Sequence, residues 1–142
     1  GFNSRLDTFQ AIVANWLLPK AKEIANKRIK NANYYDRHFS KMSEITIPPR
    51  LKNYNIVYHL YSIFVKKRNG LLKYCLKRGI EAKIHYPVPI YLQKALKFRK
   101  YKKGDFPVTD RHATQIITFP CDQHLKKKQL DYIIKTVKIF YS

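Results

Sequence analysis

The chain is short of acidic residues, of cysteine and of long apolar runs, and each shortage removes a class of function. Nine Asp and Glu stand against 29 Lys and Arg, a formal net charge of +20. So basic a balance turns attention to anionic partners, although lysines dispersed over solvated faces give the same total without a polyanion site. The two cysteines, Cys75 and Cys121, fall at a spacing that fits no zinc or redox motif and are expected as buried thiols in a reducing compartment. The five histidines form no HxxxH pair and no cluster with cysteine, so no metal site is expected. No apolar stretch approaches the roughly 18 residues needed to cross a bilayer. A basic-then-apolar signal peptide is missing from the start. The chain therefore reads as soluble and cytoplasmic, with no membrane partner. Internal repeats are absent too, and low complexity is confined to residues 126–128.

What the chain does have is periodicity. Leu6, Phe9, Ile12, Val13, Trp16 and Leu17 recur every three or four positions and fall on one side of a helix that Asp7 or Ser4 can cap. Pro19 breaks or kinks it. Ala21, Ile24, Ala25, Ala32, Tyr35 and Phe39, with Lys and Asn between them, predict a long solvent-facing helix ending near Phe39. Pro48 and Pro49 mark an extended connector, and the nearly continuous apolar and aromatic residues 56–65 predict a central strand with His59 inside it. A short helix over 71–78, capped by Asn69 and closed by Gly79, is followed by a strand over 81–86, which together make a β-α-β unit.

Residues 87–104 carry two prolines and a basic cluster of Lys97, Arg99, Lys100, Lys102 and Lys103, and read as a long functional loop with a helical turn. A helix over 106–115, a strand over 116–119 and a final helix from 125, with Leu130, Ile133, Ile134, Val137 and Tyr141 inward, complete the order. The expected class is α+β, a small sheet covered mainly on one face by helices. At 142 residues a single domain can bury about two-thirds of its unfolded surface.

Six short segments carry a resemblance. They are Gly1-Phe2-Asn3-Ser4-Arg5-Leu6-Asp7 with Gln10-Ala11, His59-Leu60-Tyr61, Arg78-Gly79-Ile80, His85-Tyr86-Pro87-Val88-Pro89 with Leu92-Gln93, Gly104-Asp105-Phe106-Pro107, and Phe119-Pro120. In that order, and at about that spacing, they resemble the C-terminal part of the DegT/DnrJ/EryC1/StrS sugar aminotransferases, which use pyridoxal phosphate (PLP). The resemblance covers nearly the whole chain. It implies the small domain of a fold-type I homodimer that aminates nucleotide-linked keto sugars in amino-sugar or lipopolysaccharide biosynthesis, with each active site drawn from both subunits. Residues 1–40 then read as a helical interface segment, residues 41–142 as the small domain, and the large PLP-binding domain is expected to be absent from this chain.

The resemblance also assigns roles. Asn3 would donate to the PLP phosphate of the neighbouring subunit, with Arg5 as the second and more strongly charged candidate. The backbone N–H groups and dipole of the adjacent helix start would favour the same anion. The plainer alternative is that Asn3 ends a turn and Arg5 makes a surface ion pair. His85 and Tyr86 resemble the pair that reaches the nucleotide-sugar substrate, on a loop that two prolines hold extended. For His85 the alternative is a satisfied structural hydrogen bond. The basic cluster would concentrate a diphosphate substrate, or is solvated surface. His59 reads as core or as support behind the site, and His38, His112 and His124 show no pairing that would suggest metal or catalysis.

Transamination on PLP needs a Schiff-base lysine, an acid for the pyridinium nitrogen and an aromatic on the ring. The family carries the lysine and the acid in its large domain, and no lysine here stands in that context. The chain alone is therefore expected to contain no catalytic residue, to hold no PLP covalently and not to transaminate. Two rival functions stand beside this one. A nucleic-acid-binding module would rest on charge and on the 11 Tyr and 8 Phe, without any RNP, KH, helix-turn-helix or zinc-finger signature. The other is a non-catalytic dimerisation or regulatory subunit.

Overall fold

The structure is a computed structural model that describes residues 6–142. Helix α1 (Thr8–Leu17) starts at Asp7, whose carboxylate accepts from the Gln10 N–H at 2.8 Å while the Gln10 side-chain oxygen accepts from the Asp7 N–H. This reciprocal cap satisfies two backbone donors of the first turn and fixes where the helix begins. Pro19 lies in a 3-10 turn (Leu18–Lys20) that leads directly into α2 (Ala21–Phe39). Proline lacks the N–H an α-turn would use and tightens the junction without ending the rod. α1 buries none of its residues; Phe9, Ile12 and Trp16 are 83%, 60% and 64% exposed. The expected solvent-facing α2 is corrected over its C-terminal half, where Ala32, Tyr35 and Phe39 are fully buried.

Three antiparallel strands form the sheet in the order β1 (Ile45–Thr46), β2 (Tyr61–Val65), β3 (Ile116–Phe119), with Ile63 opposite Ile117 and Tyr61 opposite Phe119. Side chains alternate across a strand. Tyr61, Ile63 and Val65 of β2 therefore enter the core with Tyr35 and Phe39 of α2, Leu71 and Cys75 of α3 (Arg68–Leu76), and Leu130, Ile133, Ile134 and Val137 of α5 (Lys127–Tyr141). Phe64 faces the other way and stacks on His112 of α4 (Pro107–Gln115), ring centres 4.2 Å apart. Helices thus cover chiefly one face, as the periodicity predicts. Gly70 lets α3 close on α5: a Cβ there would come 3.2 Å from the Phe140 ring.

Four expectations about the middle of the chain are corrected. Only residues 61–65 of the expected 56–65 strand form one. The Arg28 guanidinium takes the carbonyls of Tyr58 and His59 at 3.2 and 3.4 Å, so that backbone bonds to a side chain instead of a neighbouring strand. His59 is exposed on this bend rather than lying in mid-strand. Helix α3 starts at Arg68, and Asn69 lies inside it with its side-chain oxygen engaged by Arg68 Nε at 2.7 Å, so it does not cap. Gly79 does close the helix, at φ +71, with the Ile80 N–H returning to the Cys75 carbonyl. Residues 81–86 contribute a single bridge, Lys83 to Thr118 of β3. The expected β-α-β unit reduces to β2, α3 and that bridge, with β3 lying between.

Polar groups inside are tied down. Asp36 accepts from the Tyr61 hydroxyl at 2.6 Å and from two guanidinium nitrogens of Arg50 at 3.0 and 3.2 Å. The Tyr35 hydroxyl donates to the Pro120 carbonyl at 2.9 Å. Burial drives the Tyr35 and Tyr61 hydroxyls far above the usual phenol range. Cys75 and Cys121 are free and buried, their thiols pushed up by burial to about 11 and about 12. Among the described residues no helix is long and apolar enough to cross a membrane.

Candidate functional site

The segment carrying His85 and Tyr86 hangs from the edge of β3. Lys83 and Thr118 exchange both backbone hydrogen bonds, N–H to O at 3.1 and 2.8 Å, which fixes the chain two residues ahead of His85. His85 is half-buried, and its Nδ1 lies 2.9 Å from Oγ1 of Thr118, which in turn donates to the Lys83 carbonyl at 3.2 Å. Tyr86, joined to it by a cis peptide, is 75% exposed, with its ring edge-on to the imidazole at 5.8 Å. The structure therefore brings the two expected substrate residues together. It holds one ring by a hydrogen bond and leaves the other open to a ligand. Thr118 escaped the sequence reading, because a threonine in a β-rich segment carries no signal beyond strand propensity.

Beyond Tyr86 the chain forms a loop with structure of its own, two 3-10 turns at Ile90–Leu92 and Lys94–Arg99. The expected loop with a helical turn matches this arrangement. Its base is clamped by Asp110 of α4, which accepts from the Tyr91 hydroxyl and, at 2.8 Å, from the Gly104 N–H. Tyr91 packs against Phe106 at 4.8 Å, and Tyr101 meets Phe106 edge-on at 5.2 Å. The Tyr91 hydroxyl is pushed up to about 12 by burial and by the carboxylate it serves, while its hydrogen bond holds Asp110 below the usual carboxylate range. Lys97, Arg99, Lys100, Lys102 and Lys103 are all exposed on the outer side of this clamp.

Asn3 and Arg5 lie outside the described residues. The start of α1 is described, and its own side chains cap it. The carboxylate of Asp7 already occupies the helix terminus, so an anion placed there would meet negative charge and a spent donor.

A mostly apolar cavity of about 470 Å³ opens between the α1–α2 junction and Val57, with His59 and Arg28 at its polar edge. His38 and His124 make local contacts: His38 Nδ1 meets the Tyr34 carbonyl at 2.8 Å, and His124 Nε2 meets Gln123 at 3.0 Å. Among the described residues no three His, Cys, Asp or Glu side chains gather as a metal site would require.

Comparison with known proteins agrees with this architecture. A family model described as the DegT/DnrJ/EryC1/StrS aminotransferase family matches residues 1–138. The UDP-2-acetamido-2-deoxy-3-oxo-D-glucuronate aminotransferase of Pseudomonas aeruginosa is 33% identical over 94% of this chain and 36% of its own length. The pleiotropic regulatory protein of Geobacillus stearothermophilus is 29% identical over 99% of this chain and 38% of its own. Among solved structures, S. venezuelae DesV in complex with a ketimine intermediate superposes with a TM-score of 0.93 at 28% identity, over 99% of this chain and 38% of that one. The chain thus spans under two-fifths of the length of these relatives.

Proposed function

Because this chain belongs to the DegT/DnrJ/EryC1/StrS aminotransferase family, we propose that it serves as the C-terminal part of a PLP-dependent transaminase acting on nucleotide-linked keto sugars. The observation that carries the reading is the family match over residues 1–138, joined to a half-buried imidazole and an exposed phenol held side by side at the edge of β3. Several relatives are named as nucleotide-sugar aminotransferases, among them the Pseudomonas protein and the dTDP-3-amino-3,6-dideoxy-alpha-D-galactopyranose transaminase of Aneurinibacillus thermoaerophilus.

In this reading PLP, when bound, supplies the electron sink through which an amino group passes to the keto carbon. This chain's residues do the holding. His85 hydrogen-bonds the sugar, and Tyr86 lays its ring or hydroxyl against the nucleotide sugar. Asn3 and Arg5 cross to a second subunit and pair with the cofactor phosphate. The Asp110 clamp keeps the loop beyond Tyr86 from collapsing over the substrate. Residues 1–40 connect to the cofactor-binding part, and the bare apolar stripe of α1 packs there or on the second subunit of a cytoplasmic homodimer. Tyr35, Phe39, Tyr58, Tyr61 and Phe119 are buried in the core and cannot stack on bases, which leaves the nucleic-acid alternative resting on charge and on scattered exposed rings such as Tyr54, Phe98 and Tyr132.

The test is reconstitution. The chain by itself is expected to retain no PLP absorbance after dialysis and to transaminate nothing. Combined with the remaining N-terminal portion of a relative such as the Pseudomonas enzyme, it should restore amination of that enzyme's keto sugar, and His85→Gln should raise KM about three- to tenfold, the worth of one hydrogen bond. Cofactor absorbance in the isolated chain, fixed to one lysine by borohydride, would overturn the division of labour.

A further inference from the structure

We propose that Thr118 sets the tautomer of His85, placing the ring proton on Nδ1 and leaving Nε2 as a hydrogen-bond acceptor. The protons available to the two side chains decide it. A threonine hydroxyl has a single proton and two lone pairs. Oγ1 of Thr118 touches two groups, the Lys83 carbonyl at 3.2 Å and His85 Nδ1 at 2.9 Å. The carbonyl can only accept, so the hydroxyl proton goes there, and the contact with the ring must use a proton that the ring supplies. The reverse arrangement, hydroxyl donating to a bare Nδ1, leaves the hydroxyl and carbonyl oxygens facing each other at 3.2 Å with no proton between them. Thr118 is 4% exposed, which gives water little access to repair that contact.

The Lys83 carbonyl also takes the Thr118 N–H at 2.8 Å, and its two lone pairs accommodate both donors. The same backbone bridge and the stiff χ1 of a β-branched residue hold Oγ1 in place, so the preference is built into the strand edge. Among the described residues no hydrogen bond reaches His85 Nε2, so this atom remains for a ligand.

A neutral His85 of this form takes a hydrogen bond from a hydroxyl or an N–H and offers nothing to an unprotonated oxygen. On the reading that His85 faces the sugar, it selects ring hydroxyl or acetamido N–H groups and not phosphate oxygens. That consequence for ligand choice rests on the proposed function, whereas the tautomer does not.

The experiment is a long-range ¹H–¹⁵N correlation on histidine-labelled full chain above about pH 8, where an ordinary imidazole is neutral. His85 is assigned by the signals lost in His85→Gln. The expected spectrum shows a protonated Nδ1 and an unprotonated Nε2. Thr118→Val, similar in shape but without the hydroxyl, should lower the ratio of the Nδ1–H to the Nε2–H form about fivefold, the effect of losing one modest hydrogen bond, and Thr118→Ser should restore it. An Nε2–H imidazole in the unsubstituted chain overturns the proposal, and that measurement needs no variant to fold. An unchanged ratio in Thr118→Val overturns it as well. In the reconstituted enzyme, a KM indifferent to His85→Gln would count against the sugar-facing reading and leave the tautomer standing.

Discussion

α1 and α5 carry the same kind of apolar stripe, and the molecule treats them in opposite ways. In α5, Leu130, Ile133, Ile134 and Val137 are buried against the sheet and its neighbouring helices. In α1, Phe9, Ile12, Val13 and Trp16 project into solvent from a helix that is capped as well as any. Periodicity therefore reports that a face needs covering and is silent on what covers it. In α5 the cover is this chain's own core. For α1, burying four such side chains would be worth on the order of 1.5 to 3 kcal/mol each, a gain left open to another surface.

The largest effect expected from this contrast comes from placing a charge in each stripe. Ile134→Asp should cost several kcal/mol and abolish the cooperative thermal transition. Ile12→Asp should leave the stability of the chain nearly unchanged, within about 0.5 kcal/mol, while blocking reconstitution with the cofactor-binding part. If both substitutions unfold the chain, the stripe of α1 is core after all and the contrast fails.

Next in size is the polar tie inside the covered half. Asp36→Ala strips the partner from the buried Tyr61 hydroxyl and from Arg50 together, and denaturant titration should register a loss of roughly 2 to 4 kcal/mol.

Thiol labelling sharpens the same boundary. Cys75 and Cys121 lie in the covered region with their thiols raised to about 11 and about 12. Near pH 8 both should resist alkylation until the chain unfolds. The sign for stability follows from the raised values. The native state keeps its protons longer than the unfolded state, so this contribution is whole below about pH 8.5 and is lost as pH climbs toward 11 and 12.

The smallest effect concerns the clamped loop. Asp110 is held below the usual carboxylate range by the Tyr91 hydroxyl, so its contribution is present above about pH 4 and fades as pH falls through the lower native value. Relative to the intrinsic rate at each pH, hydrogen exchange of the Gly104 amide should stay slow through pH 4 and quicken below it. Asp110→Asn should quicken it at every pH without moving the melting temperature of the core.

The sequence was most legible where a stripe, a turn residue and a sufficient length agreed. The helix over 107–115, the strand over 116–119, the Gly79 closure and the inward face of α5 all met that condition. Residues 56–60 did not. Their apolar run reads as a strand, yet the Arg28 side chain takes their carbonyls, a long-range contact that no local pattern encodes. β1 is two residues long, too short to carry a pattern of its own. At the candidate site, the juxtaposition of His85 and Tyr86 was visible as a motif. Its control by Thr118 was not, because it depends on a bridge between positions 35 residues apart.

Pro19 has a mechanical consequence. A ten-residue helix is about 15 Å long, and α1 leaves the body through the tight turn that holds this proline. A change of about 20° at that joint, the size of an ordinary helix kink, would swing the far end of α1 by about 5 Å. Residue 19 therefore works as the fulcrum of a lever.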